Sequence, residues 1–161
     1  KAKRLALKSA QIQFRLDVAD IVVNADRDKM RIVLDNLMSN AIKYSPRSAS
    51  IELTARKRDG FAQLDVADHG PGISAAERER VFDSFYSGKA PMDGKVKGSG
   101  LGLAIAREYA IAHGGRIEAL DRSDGGNGAC FRLSLPLARG MGDAGASSPR
   151  KTASVSVGGA E

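Results

Sequence analysis

Residues 34–46, Leu34-Asp35-Asn36-Leu37-Met38-Ser39-Asn40-Ala41-Ile42-Lys43-Tyr44-Ser45-Pro46, decide how the rest of the chain is read. Apolar side chains at Met30, Val33, Leu34, Leu37, Met38 and Ala41 recur at the spacing of one buried helical face. Asp26 is a good N-cap residue and Pro46 does not continue a helix, so a long helix is expected to begin near Asp26 and stop before Pro46. Upstream, residues 11–24 hold two short alternating pieces, IQFRL and DIVV, that read as strands. Downstream, Ile51-Glu52-Leu53 and the stretch from Phe61 to Val66 flank Asp59-Gly60, a strong hairpin signal. Ser74 with Glu77 reads as a capping box opening a helix through about Phe82.

Residues 86–98 are rich in glycine, proline and lysine and read as a mobile loop. From Leu101 a further helix is expected to run to about His113 and to stop at Gly114-Gly115. Residues 116–121 and 129–135 then form a last hairpin across a glycine-rich turn. Strands arriving as adjacent hairpins with helices between them predict an α+β fold. The expectation is a two-layer sandwich with a mixed, mostly antiparallel sheet and about three helices on one face. Residues 11–137 form that domain, 1–10 read as the end of a longer helix plus a linker, and 138–161 as a disordered tail of Gly, Ala and Ser. The chain begins at Lys1, and a piece of something longer is expected.

Composition excludes several function classes. The 161 residues are 42% apolar, ordinary for a globular protein, and no apolar run approaches the roughly 18–20 residues that span a bilayer. A single cysteine, Cys130, rules out an internal disulfide and a multi-cysteine metal site. The net charge of +6 looks like a nucleic-acid signal until it is located: +4 belongs to residues 1–10 and +1 to 138–161, leaving +1 for the whole of 11–137. A nearly neutral body without interleaved aromatics argues against a nucleic-acid surface.

Four features carry chemistry. Asn36, Asn40 and Lys43 share one helix stripe, and asparagine is a poor helix-interior residue. They form either a solvated polar face or an oxygen-donor face for a hard cation such as Mg²⁺, with Lys43 near phosphate oxygens. Asp68-His69-Gly70-Pro71-Gly72-Ile73 is either a tight strand-to-helix turn or a platform where a carboxylate accepts from an exocyclic amino group such as that of adenine. Gly98-Ser99-Gly100-Leu101-Gly102-Leu103 enters a helix and exposes unpaired N–H groups, a ready anion site. No Gly-Lys-Ser/Thr follows, so it is not a Walker A loop. Lys89, Lys95 and Lys97 against Asp93 make the preceding loop a basic flap, or an ordinary solvated loop.

Taken in order, LDNLMSNAIKYSP, DHGPGI, VFDSFYSG, GSGLGLAIAREYAIAHGG and GGNGACFRLSLP resemble the N, G1, F, G2 and G3 boxes of bacterial sensor histidine kinases. The resemblance covers roughly residues 11–136 and is to the catalytic, ATP-binding domain of that family, within the superfamily that includes DNA gyrase. It implies Asn40 as a Mg²⁺ ligand with Asn36 beside it, Lys43 as a phosphate contact and Tyr44 as a residue packing on adenine. Asp68 would read the adenine amino group, with Gly70, Gly72 and Ile73 around it. Phe82 and Phe85 would anchor the lid. Lys97, Gly98, Gly100, Leu101 and Gly102 would serve the phosphates.

Two departures stand out. Ala129 occupies a position where the family often carries Ser or Thr, so adenine recognition is expected to lean more on Asp68 and solvent. A phosphoacceptor histidine is missing: His69 lies in the Asp68 turn and His113 at a helix end, where it favours the helix dipole. Cys130 reads as a core thiol. The resemblance therefore implies a cytoplasmic domain that takes ATP and Mg²⁺ and donates the γ-phosphate to a histidine on an upstream dimerisation domain. The parent would be a homodimeric inner-membrane sensor phosphorylating a response regulator, with the fragment monomeric. A GHKL-type serine kinase or ATPase, and a nucleotide-sensing module without transfer, stand as alternatives.

Overall fold

A computed structural model describes residues 11–16 (backbone), 21–46, 49–86 and 101–138. The expectations for residues 1–10, for nearly all of the 86–98 loop with Lys89, Lys95, Lys97, Gly98 and Gly100, and for 139–161 lie outside the described residues. Five strands, β1 (Gln11–Leu16), β2 (Ser50–Arg58), β3 (Phe61–Ala67), β4 (Arg116–Asp121) and β5 (Ala129–Pro136), form one sheet in the order β1-β2-β3-β5-β4. β1 runs parallel to β2 and every other neighbouring pair is antiparallel. Two helices, α1 (Arg27–Tyr44) and α2 (Gly102–Ala112), pack on one face. This is the expected α+β two-layer sandwich.

Local chemistry sets the element ends. Asp26 caps α1 by accepting from the Lys29 N–H at 3.0 Å. The β2–β3 turn places Asp59 at φ 52° and Gly60 at φ 81°, the pair of left-handed residues that a twisted two-residue hairpin demands. Gly114 ends α2 in the left-handed region at φ 76°.

The sheet has two different faces. Cross-strand rows Leu53–Val66–Phe131–Ala119 and Ala55–Leu64–Leu133–Ile117 point to the helices. They meet Val33, Leu37 and Ala41 of α1 and Ala106 and Ala110 of α2, all fully buried. Phe131 sits at the centre with Phe82 edge-on at 6.2 Å. The opposite face carries cross-strand polar pairs instead: Arg132 clamps Asp65 through two bonds of 2.8 and 3.0 Å, and Arg56 donates a hydrogen bond to Gln63 at 3.1 Å.

Two expectations are corrected. The DIVV piece contributes a single antiparallel bridge, Val23 to Leu137, because the chain turns into the α1 cap three residues later. The third helix is only a 3₁₀ turn, Arg80–Phe82. Glu77 gives its two carboxylate oxygens to the hydroxyls of Ser74 (2.9 Å) and Tyr86 (2.8 Å), so the box is closed between side chains and the segment tightens into turns. His113 stands at the end of α2, as expected, and is held there by hydrogen bonds. Its Nδ1 donates to the Tyr109 carbonyl at 2.7 Å and its Nε2 accepts from the Asp26 N–H at 3.1 Å, joining the end of α2 to the cap of α1. Among the described residues no helix is long and apolar enough to cross a membrane.

Candidate functional site

The site is built where β3 stops. Asp68, the first residue beyond that strand, is 2% exposed. Its main-chain N–H donates to the Ala129 carbonyl at 2.9 Å. Its Oδ1 accepts twice, from the N–H of Gly70 at 2.9 Å and of Ala129 at 3.0 Å. Oδ1 is thus committed to the fold, while Oδ2 takes no hydrogen bond among the described residues. Burial pushes the carboxyl above its ordinary value against the pull of those N–H donors and of Arg122.

Close backbone approach explains the glycines of this turn. A Cβ on Gly70 would lie 2.5 Å from the Tyr44 carbonyl oxygen, so only glycine lets the turn lie against the end of α1. Gly72 has φ 80° and abuts Gly128. The Ser45 hydroxyl accepts from the His69 N–H at 3.1 Å, a second tie between α1 and the turn. Ile73 packs against the core below it.

The Asn36–Asn40–Lys43 stripe lies beside this turn on α1, with all three side chains partly buried. Burial lowers the pKa of Lys43 and raises that of Tyr44. A desolvated ammonium is short of anionic partners, and phosphate oxygens would supply them. At the start of α2, a Cβ on Gly102 would sit 3.1 Å from Asn36 Oδ1, so the asparagine stripe and the first turn of the glycine-led helix are in contact. Leu101 precedes that turn. Mg²⁺ fits this donor set: the asparagine amide oxygens are hard ligands, and the ion needs only one or two from protein when phosphates complete its shell. Among the described residues no cluster of His, Cys, Asp and Glu offers a rival metal site.

Phe82 and Phe85 part company. Phe82 is core, under the Arg107 guanidinium at 5.2 Å, whereas Phe85 is 73% exposed with φ 65°. A cleft of about 400 Å³ opens between Pro71–Ser74 and the β4–β5 loop. It shares Gly72 and Ile73 with the expected site and is also lined by Asp121, which is paired with Arg78 at 2.8 Å.

Ala129 contributes its main chain alone, so its missing hydroxyl leaves the Asp68 contacts intact. Neither histidine is placed as an acceptor. His69 Nδ1 donates to the Ser50 carbonyl at 2.7 Å with Nε2 3.5 Å from Glu52, and both His113 nitrogens are engaged. Sequence reasoning missed Arg122. It is 7% exposed and bonded to Asp124 two residues on and to Asp68 and Glu52, and the last two contacts are made across the fold and leave no local pattern.

The five-stranded sheet with its two helices, the Asp68 turn and the asparagine stripe against the first turn of α2 form the arrangement to compare with known proteins. The profile of the family described as histidine kinase-, DNA gyrase B-, and HSP90-like ATPase matches residues 25–139, and the chain belongs to that family. Within it, the relatives are sensor histidine kinases. SenX3 of Mycobacterium tuberculosis is 37% identical over 134 residues, 83% of this chain and 32% of its own length. WalK of Bacillus subtilis is 38% identical over 133 residues, 80% of this chain and 21% of its own. The chain thus spans a third or less of these relatives.

Among solved structures, the catalytic domain of histidine kinase ThkA superposes with a TM-score of 0.69 at 30% identity, covering 83% of each chain. Full-length ShkA in complex with AMPPNP gives 0.67 at 30% identity, covering 85% of this chain and 27% of its own. ThkA in complex with the response regulator protein TrrA gives 0.67 at 27%, covering 84% and 36%. The chain is a catalytic domain of the protein-histidine kinase class.

Proposed function

We propose that this domain binds Mg·ATP and donates the γ-phosphate to a histidine on a dimerisation domain of the same protein. The parent is read as a homodimeric inner-membrane sensor that phosphorylates a response regulator in the cytoplasm. The observation that carries this reading is Asp68: a buried carboxylate whose Oδ1 is used twice by the fold and whose Oδ2 remains for a ligand donor. Adenine offers such a donor in its exocyclic amino group. Gly70, Gly72 and Ile73 bring the chain against the base, with Tyr44 packed over it. The AMPPNP bound by ShkA and the response regulator bound by ThkA support the same reading.

Phosphoryl transfer demands positioning and neutralisation of charge more than covalent chemistry from the protein. Lys43 supplies a partly desolvated ammonium, and the first turn of α2 at Leu101 and Gly102 faces the phosphates with the positive end of its dipole, with Gly98 and Gly100 joining it by the family resemblance. By the family resemblance Lys97 would add a cation for the phosphates, and the exposed Phe85 an apolar contact. Asn40, with Asn36 beside it, holds Mg²⁺, which when bound screens the charge of the phosphates. The acceptor comes from outside residues 1–161, since both histidines are tied into the fold.

Calorimetric titration with ATP, with and without Mg²⁺, tests the binding half, alongside Asn40→Ala. Binding that depends on Mg²⁺ in the wild type and loses that dependence in the variant is expected. Transfer to an isolated histidine hairpin supplied in trans tests the other half, through acid-labile phosphate on the hairpin. Acid-stable phosphoserine would indicate the serine kinase, and binding without transfer the sensing module.

A further inference from the structure

Arg122 stands at the end of β4, two strands away from Asp68 and 54 residues later in the chain. Its guanidinium is nevertheless bonded to the main-chain carbonyl of Asp68, Nη1 donating at 2.9 Å. β5 begins between the two, and the reach is possible because that crossing point is Gly128. A Cβ there would overlap the Asp68 carbonyl oxygen and would meet Arg122 Cδ at 3.0 Å. Gly128 holds φ 133°, a conformation that side-chain-bearing residues rarely adopt. The glycine opens a slot and the arginine crosses it.

The other end of the guanidinium is fixed as tightly. Nε and Nη2 grip Asp124 at 3.1 and 2.7 Å, and Nη2 also donates to Glu52 Oε1 at 2.9 Å. Asp124 accepts in turn from the Gly126 N–H at 2.9 Å, closing the β4–β5 loop on itself. Five donors in a rigid plane let one arginine serve a carbonyl and two carboxylates together. Lysine, a point charge on a flexible stem, has no equivalent arrangement.

We propose that Arg122 is the positioning residue of the base-reading carboxylate and sets the domain's preference for adenine over hypoxanthine nucleotides. This rests on the reading of Asp68 given above. Asp68 lies past the end of β3, where the sheet no longer orients it. Its N–H is held by Ala129, its carbonyl by Arg122 and its Oδ1 by Gly70 and Ala129, so the carboxylate has one orientation. Without Arg122 the carbonyl loses its buried donor and the Asp68–His69 peptide is held by the Ser45 hydroxyl alone, through the His69 N–H, so it tilts more readily and carries the carboxylate with it. An adenine amino group donates to Oδ2. Inosine triphosphate places a carbonyl oxygen at the same position, so its binding gains little from Asp68 and loses little when Asp68 turns.

The test is titration of ATP and of inosine triphosphate, both with Mg²⁺, against the wild-type chain, Arg122→Gln and Arg122→Lys. The wild type is expected to prefer ATP by about tenfold or more, the worth of one hydrogen bond to a charged group. Arg122→Gln is expected to weaken ATP by about tenfold while inosine triphosphate changes less than about twofold, with Arg122→Lys between the two. An equal loss for both nucleotides, or an unchanged preference, overturns the proposal and leaves Arg122 a structural clamp. A wild type that binds neither, or both alike, sinks the reading of Asp68 instead. Should Arg122→Gln fail to fold, amide NMR of Arg122→Lys decides. The Gly70 and Ala129 amide protons, both bonded to Oδ1, must shift if Asp68 has turned, and unmoved signals count against the role.

Discussion

Asp68 and Ala129 hold each other twice: the Asp68 N–H donates to the Ala129 carbonyl at 2.9 Å, and the Ala129 N–H donates to Asp68 Oδ1 at 3.0 Å. The first bond extends the β3–β5 ladder by one residue, and the second bends the side chain back along it. A carboxylate is thereby oriented by main chain, which any residue at 129 supplies. Asp68 is held at that position by the strand and not by a hydroxyl.

Burial raises the Asp68 carboxyl above its ordinary 3.8, so the folded domain holds that proton more tightly than the unfolded chain does. Its contribution to stability is therefore present at low pH and lost as pH rises from 3.8 through the raised native value. Asp68→Asn keeps an Oδ1 for both N–H groups and removes the buried charge. Thermal melts from pH 4 to 8 should show the variant at least as stable as the wild type at neutral pH, with the gap closing on acidification. Its ATP affinity should fall about tenfold or more, because an amide NH₂ now meets the adenine amino group.

Two glycines of the β4–β5 loop separate backbone strain from site geometry. Gly125 has φ 75° with open space where a Cβ would go, so Gly125→Ala should cost about 1–2 kcal/mol in urea unfolding and leave ATP affinity unchanged. Gly128→Ala drives a methyl into the Asp68 carbonyl and Arg122. It should cost more than Gly125→Ala and weaken ATP as well. Equal costs in the two variants would mean that the close packing at Gly128 is not felt.

Gly102→Ala places a methyl 3.1 Å from Asn36 Oδ1, tighter than side chains normally pack. Alanine also improves helix propensity by about 1 kcal/mol over glycine, which favours α2. Nucleotide titrations should show weaker binding in the presence of Mg²⁺ and a smaller change in its absence. A loss of equal size under both conditions would separate Asn36 from the metal.

Burial pushes the Cys130 thiol up to about 12 from its ordinary 9.0. Between those values the folded state keeps a proton that the unfolded chain gives up, so stability falls as pH rises through that window, by at most about 1.4 kcal/mol per pH unit. Cys130→Ala should remove this part of the alkaline slope in urea unfolding. The native thiol should react with iodoacetamide only as fast as the domain opens.

The elements most legible in the sequence are those closed by neighbours in the chain. Asp26 caps α1 from three residues away, Asp59-Gly60 sets its hairpin in two residues, and Gly114 ends α2 in place. The apolar stripe of α1 also names its buried face, because helical periodicity is local. The Ser74–Glu77 box misleads for the complementary reason. Tyr86, nine residues on, takes the second Glu77 oxygen and leaves a 3₁₀ turn in place of a helix.

The sequence by itself determined the family and the α+β layering, and it named the side chains proposed to meet a nucleotide, since spacing and turn chemistry are properties of short segments. Only the tertiary structure decided the rest: β5 inserted between β3 and β4, β1 added parallel at the edge, and Asp68 pinned from two strands away by Arg122. Those contacts join residues tens of positions apart. They exist because buried carbonyls and carboxylates must find donors wherever the folded chain brings them, and no local pattern records which donor that will be.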